Sequence, residues 1–156
     1  MKYDIVTLYA VALRFLLGWF MFFAGIEKVL DPSFTASGFL LTAKMFPAFY
    51  AWFALPMNSW WVDPLNAWGI TLIGVALLLG VGIRPAAWAG AALMIIYYFP
   101  HYTLPWIPHG FIVEEHIIYA VAFLLIAAMP QAYAFSASKY LRRTILGSIP
   151  VVKDFI

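Results

Sequence analysis

The chain has 156 residues, of which 65% are hydrophobic, 19% aromatic and only 10% charged, with a formal net charge of +2. Soluble domains carry about 25% charged residues, so this composition defines a membrane protein, with room for one helical bundle and no separate soluble domain. Basic residues scattered along an apolar chain exclude a nucleic-acid face, and the absence of cysteine excludes disulfides, thiolate metal sites, iron–sulfur ligation and a catalytic thiol within the chain.

The first apolar run, 5–28, is long enough to span a bilayer and too long for a leader peptide, but it carries Arg14 near its middle and closes on Glu27 and Lys28. An arginine at mid-helix costs roughly 2.5–3.5 kcal/mol on insertion scales and turns toward protein or water. Backbone carbonyls, tyrosines or water are expected to meet it. At 100° per residue Arg14, Gly18, Met21, Gly25 and Lys28 share one stripe, and the two glycines let a second helix approach that face.

The connection 31–64 is nearly as apolar as a span, but Pro47, Pro56 and Pro64 rule out one continuous helix. Short helices lying in the membrane interface are expected there, where aromatic rings favour the headgroup level. The second span, 65–83, places Gly69, Ile73, Ala76 and Gly80 on one face. A Gly82-Ile83-Arg84-Pro85 turn leads into a third span, 85–104, which Pro100 interrupts. A second outer connection follows, carrying His101, Trp106 and His109, and the two connections are expected to form a lid together.

The fourth span, 111–130, opens with Glu114, Glu115 and His116, and Glu115 shares a face with Tyr119 one turn later. After Pro130 the tail 131–156 reads as an amphipathic interfacial helix with Lys139, Arg142 and Arg143. Four spans put Lys2, Arg84, Lys139, Arg142, Arg143 and Lys153 on one side against Lys28 and Lys44 on the other. The positive-inside rule then gives a multi-pass plasma-membrane protein with both termini cytoplasmic. The expected fold is an all-α, four-helix transmembrane bundle with interfacial helices in its first outer connection.

This topology gathers Glu27, Lys28, Glu115 and His116 into an outer polar cluster, with Arg14 a separate charge about 20 Å deeper. A plainer account has the glutamates favouring the helix dipole while Glu27 and Lys28 end their helix among headgroups. His109, Glu114, Glu115 and His116 have the chemistry to bind zinc, iron or manganese. Their spacing matches no metal motif, so metal ranks below proton handling, and no two membrane-depth histidines face each other as a haem would require.

Arginine, then glycine four residues later, then glycine and lysine three apart, as in Arg14, Gly18, Gly25 and Lys28 continued by Leu30-Asp31-Pro32, resembles the DoxX/DoxD family of small four-span membrane proteins. The glycine-rich second span with Arg84 after it, and a last span led by Glu115 and Tyr119, are similar to the same family. The resemblance runs from Arg14 to about Ser138. It departs at 130–136, where the family's glycine-rich turn ending in serine and aspartate is absent.

The resemblance implies a membrane subunit of an oxidoreductase that passes electrons to quinone, with thiosulfate the best-known donor. Such an activity needs an aromatic slot, proton carriers and positive charge. Trp60, Trp61, Tyr97, Tyr98, Trp106 and Tyr119 are the residues expected to bind the quinone, with Glu115 and His116 to move protons and Arg14 and Lys28 to supply charge. The alternative is a non-catalytic accessory or assembly subunit of a larger complex or homo-oligomer, docked through the aromatic outer segment. A transporter ranks third, since the chain has no internal repeat.

Overall fold

The computed structural model describes residues 4–107 and 110–138. Helix α1 runs Ile5–Leu30, opened by Asp4, whose carboxylate accepts the Thr7 N–H at 2.8 Å. Two short helices follow, α2 Ser37–Leu41 and α3 Pro47–Phe53, then the long helices α4 Ser59–Leu79 and α5 Ile83–His101. A small hairpin, β1 Trp106–Ile107 and β2 Gly110–Phe111, leads to α6 Glu115–Ala128 and a 3-10 turn Pro130–Tyr133.

Helix α1 packs most extensively on α4 and α5 on α6, while α4–α5 and α1–α6 contacts complete the ring. Among the described residues two helices, α1 and α4, are long and apolar enough to cross a membrane, with mean hydropathies of 1.9 and 1.6. The glycines explain the closest approach. A Cβ on Gly25 would collide with the backbone of Thr71, and one on Gly74 with the backbone of Phe22. The pattern on α4 differs from the expected one, because a Cβ on Gly69 would meet open space and Gly74 is the residue that admits α1. Met21, Leu77, Phe123 and Ile126 fill the centre of the ring.

Several boundaries differ from those expected. Helix α4 starts six residues early, so Pro64 sits inside it as the sixth residue. That is tolerated because proline's fixed φ is helical and the one bond it forfeits lies close to the helix start. Pro100 is likewise the penultimate residue of α5 rather than a break within it. The fourth segment contains a helix of only 14 residues, about 21 Å long, because Glu114 is extended and Pro130 ends the run. The hairpin, too, was not anticipated by the all-α reading.

The first long connection folds back onto the C-terminal end of α5. The Lys44 N–H donates to the Pro100 carbonyl at 3.1 Å, and the Tyr50 hydroxyl donates to the Ile96 carbonyl at 2.8 Å. The Phe39 ring lies 5.4 Å from that of Tyr97 and 5.2 Å from that of His101. The second connection reaches the same end of α5 through the Tyr98 hydroxyl, which donates to the Ile112 carbonyl at 2.5 Å. Both connections therefore close over the end of the molecule that carries Lys28 and Glu115. His109, Lys2 and the basic tail residues Lys139, Arg142, Arg143 and Lys153 lie outside the described residues.

Candidate functional site

Three adjoining cavities open at the Lys28 end, and Tyr97 borders all of them. The first, about 190 Å³, is walled mainly by apolar and aromatic side chains, among them Phe49, Tyr50, Phe53, Trp61 and Ile96. The second, about 240 Å³, shares Asn66 with the first and adds Lys28, Thr35 and His101. The third, about 90 Å³, lies between α1, α5 and α6, where Lys28 and Tyr97 meet Glu115, His116 and Tyr119. Together they make a cleft that is aromatic on one side and polar on the other.

The polar side is held in place by few bonds. Asn66 Nδ2 donates to the Tyr97 hydroxyl at 2.5 Å, which leaves the Tyr97 O–H hydrogen free to donate onward, and the buried Asn66 Oδ1 has no hydrogen-bond partner. Lys28 Nζ donates to the Ala24 carbonyl of its own helix at 2.7 Å and lies 5.9 Å from the Phe34 ring. One donor of its ammonium is used there. His101 Nδ1 lies 3.1 Å from the Tyr97 carbonyl, and its ring is 5.3 Å from that of His116. His116 Nδ1 and Glu114 Oε1 lie 2.6 Å apart, a hydrogen-bonded pair. Outside the helical ring, burial pushes the Tyr50 hydroxyl above its ordinary value of 10.0.

Of the candidate residues, Lys28, Glu115, His116, Tyr97 and Tyr119 line the third cavity together, and Trp61 lines the first. The cleft does not include the remaining expected residues. Arg14 sits about 20 Å down α1 from Lys28 and is fully buried. Its guanidinium donates to the carbonyls of Ala132 at 2.6 Å, Ala134 at 2.9 Å and Phe135 at 3.4 Å. Backbone carbonyls do meet this charge, but they belong to the turn after α6, so Arg14 is removed from the site. Trp60 and Trp106 are 77% and 76% exposed, respectively, and turn away from the cavities. Tyr98 is buried and its hydroxyl is spent on Ile112, while Glu27 is exposed.

Asn66 and Tyr50 were missed, while His101 was expected only as part of the second connection and Glu114 only as a metal ligand or helix-dipole partner. Asn66 carries a legible signal, since an amide in an apolar span is as anomalous as Arg14 and has the same need of a partner. The position of Tyr50 depends on how the connection folds back, which no local pattern encodes.

A ring of apolar helices with an amphipathic cleft beneath its aromatic connections defines a small helical membrane protein. The sequence model of the DoxX family matches residues 9–103, more than half of the chain, and the chain belongs to that family. The match takes in Lys28, Asn66, Tyr97 and His101 and stops before α6, so Glu115, His116 and Tyr119 lie beyond it. No curated protein and no solved structure gives a match to the chain.

Proposed function

We propose that this DoxX-family protein is a quinone-binding membrane subunit of an oxidoreductase, which takes electrons from a sulfur compound such as thiosulfate. The observation that carries the reading is the Asn66–Tyr97 pair at the junction between the aromatic and the polar cavities. A quinone presents two carbonyl acceptors on a flat apolar ring with a lipid tail, and its reduced form presents hydroxyl donors instead. Tyr97 offers an O–H to a carbonyl, and the unpartnered Asn66 Oδ1 accepts from a hydroxyl. Phe49, Phe53 and Trp61 would flank the ring.

When bound, the quinone supplies the capacity to accept two electrons and two protons. Glu115 and His116 exchange protons with the polar side of the cleft, and Lys28 lends positive charge beside Tyr97. Under this reading α1, α4, α5 and the segment containing α6 cross the plasma membrane, α2 and α3 lie in the outer interface, and the Arg84 turn and both termini face the cytoplasm. The chain lacks cysteine, so single cysteines at Arg84 and Lys44 can be labelled without background. Labelling of both from the same side would refute this topology.

The protein purified in mild detergent should release quinone on solvent extraction and bind an added short-chain quinone saturably. Tyr97→Phe removes one hydrogen bond of about 1 kcal/mol and should weaken binding about fivefold. Absence of both extracted quinone and saturable binding sinks the proposal. One observation favours a second reading, an accessory subunit: Phe46, Phe49, Trp52, Met57 and Trp60 form an exposed apolar stretch over α3 and the start of α4. A stoichiometric partner recovered without quinone would favour that reading.

A further inference from the structure

We propose that Glu114, Glu115 and His116 form a binding site for a divalent first-row transition-metal ion, which shares Glu115 and His116 with the quinone cleft and is tested by metal binding alone, without reference to quinone. Consecutive residues on a helix point about 100° apart and do not converge. Here they do, because Glu114 is extended, with φ −142° and ψ −175°, and only Glu115 and His116 belong to α6. One ligand atom from each residue lies within 4.8 Å of the other two.

The second observation is the state of Glu114 itself. Its side chain is only 7% exposed, yet Oε2 has no hydrogen-bond partner. It occupies the N-cap of α6 without capping it, so the carboxylate has passed over the free N–H groups of the helix and turned to His116. No lysine or arginine lies within ion-pair distance of either glutamate among the described residues, and Lys28 is turned to the Ala24 carbonyl. A buried carboxylate oxygen without a hydrogen-bond partner, on a side chain whose other oxygen meets an imidazole, has the surroundings of a metal ligand.

The geometry and the donor chemistry agree. Two neighbouring ligands at about 2.1 Å from one ion stand about 3.0 Å apart at octahedral angles and about 3.4 Å apart at tetrahedral ones, and Glu114 Oε1 and His116 Nδ1 are 2.6 Å apart. A small opening of that pair admits an ion in place of the shared proton. Two carboxylates and one imidazole suit zinc, manganese or iron(II) better than the all-oxygen ions magnesium and calcium. The helix N-terminus opposes a cation with about half a positive charge, which two carboxylates outweigh.

The test uses the full-length protein in detergent, stripped with a chelator and titrated with cobalt(II), followed by displacement with zinc(II). The expected result is saturation at one ion per chain, with visible cobalt bands that zinc abolishes. Glu114→Gln and His116→Gln should each weaken binding at least about tenfold. Because a change at buried Glu114 could disturb packing, Glu115→Gln at an exposed position provides a second arm, with the same direction expected. X-ray absorption of the cobalt-loaded wild type should report one imidazole among oxygen donors. Failure to saturate, an oxygen-only shell, or unchanged affinity in these variants overturns the site.

Discussion

Replacing Arg14 by methionine separates a structural arginine from a chemical one. Methionine keeps much of the aliphatic length and removes the guanidinium, so the carbonyls of Ala132, Ala134 and Phe135 lose their donor. The bonds at 2.6 and 2.9 Å are good charge-assisted ones, and the third, at 3.4 Å, is weak. Such bonds contribute about 1.5–3 kcal/mol each in water, whereas polar pairs inside bilayers average only about 0.6 kcal/mol. Releasing a fully buried charge from the interior offsets part of the loss. The expected destabilisation is about 3 kcal/mol, measured as unfolding in mixed detergent and SDS micelles.

The location of the damage is as informative as its size. The segment Arg14 holds is the one whose Ser136 and Ser138 hydroxyls donate to the Gly80 carbonyl and whose Ala137 N–H donates to the Leu79 carbonyl. Arg14→Met should therefore expose residues 130–138 to protease and free the end of α4, while quinone affinity at the far end of α1 changes less than twofold. Arg14→Lys should recover only part of the stability, because one ammonium cannot reach three carbonyls as a planar fork does. A variant with normal stability and abolished quinone binding would show that Arg14 acts on the chemistry after all.

Gly74→Ala should force α1 and α4 apart, since its methyl group would overlap the Phe22 backbone, and should cost about 1–3 kcal/mol in the same unfolding assay. Gly69→Ala faces open space and should be neutral or stabilising by up to about 1 kcal/mol, so equal effects at the two positions would refute the packing assigned here. The connection over α5 should respond to alkali. Burial raises the Tyr50 hydroxyl above 10.0, so the folded state holds this proton more tightly than the unfolded chain. Its contribution is complete below pH 10 and is lost as pH rises through the elevated folded value. Ultraviolet difference spectra should show one fewer late-titrating tyrosine in Tyr50→Phe than in the wild type. Lys28→Met should leave stability nearly unchanged but reduce the affinity of the cleft for quinone, which equilibrium dialysis would detect.

The cations of α1 show what was legible in the sequence and what was not. Hydropathy and the 100° stripe placed Arg14, Gly18, Gly25 and Lys28 on one buried face, and the packing of α4 against Gly25 fulfils that reading. The charge at each end of the stripe needs a partner, but partners are chosen by tertiary contacts that periodicity does not carry. Arg14 found carbonyls 118 to 121 residues away, on a turn whose position depends on where α6 stops. The small-residue face of α4 was misread for a related reason. Gly69 and Gly74 differ little as local signals, and the register in which α1 crosses α4 decides which one is needed.

The same reasoning separates the two jobs of α1. Arg14 is sealed in the interior with both terminal nitrogens on backbone carbonyls, whereas Lys28 spends one donor on Ala24 and stands beside Tyr97 at the meeting of two cavities. The buried cation is a clamp on the chain, and the less buried one is available for chemistry. A double variant, Arg14→Met with Lys28→Met, should therefore show additive effects, because the residues lie about 20 Å apart and share no partner. Stability should fall as in the first single variant and quinone affinity as in the second. A coupling energy above about 0.5 kcal/mol in either measurement would mean that the two ends of α1 communicate through the helix–helix interface lined by Gly18 and Gly25.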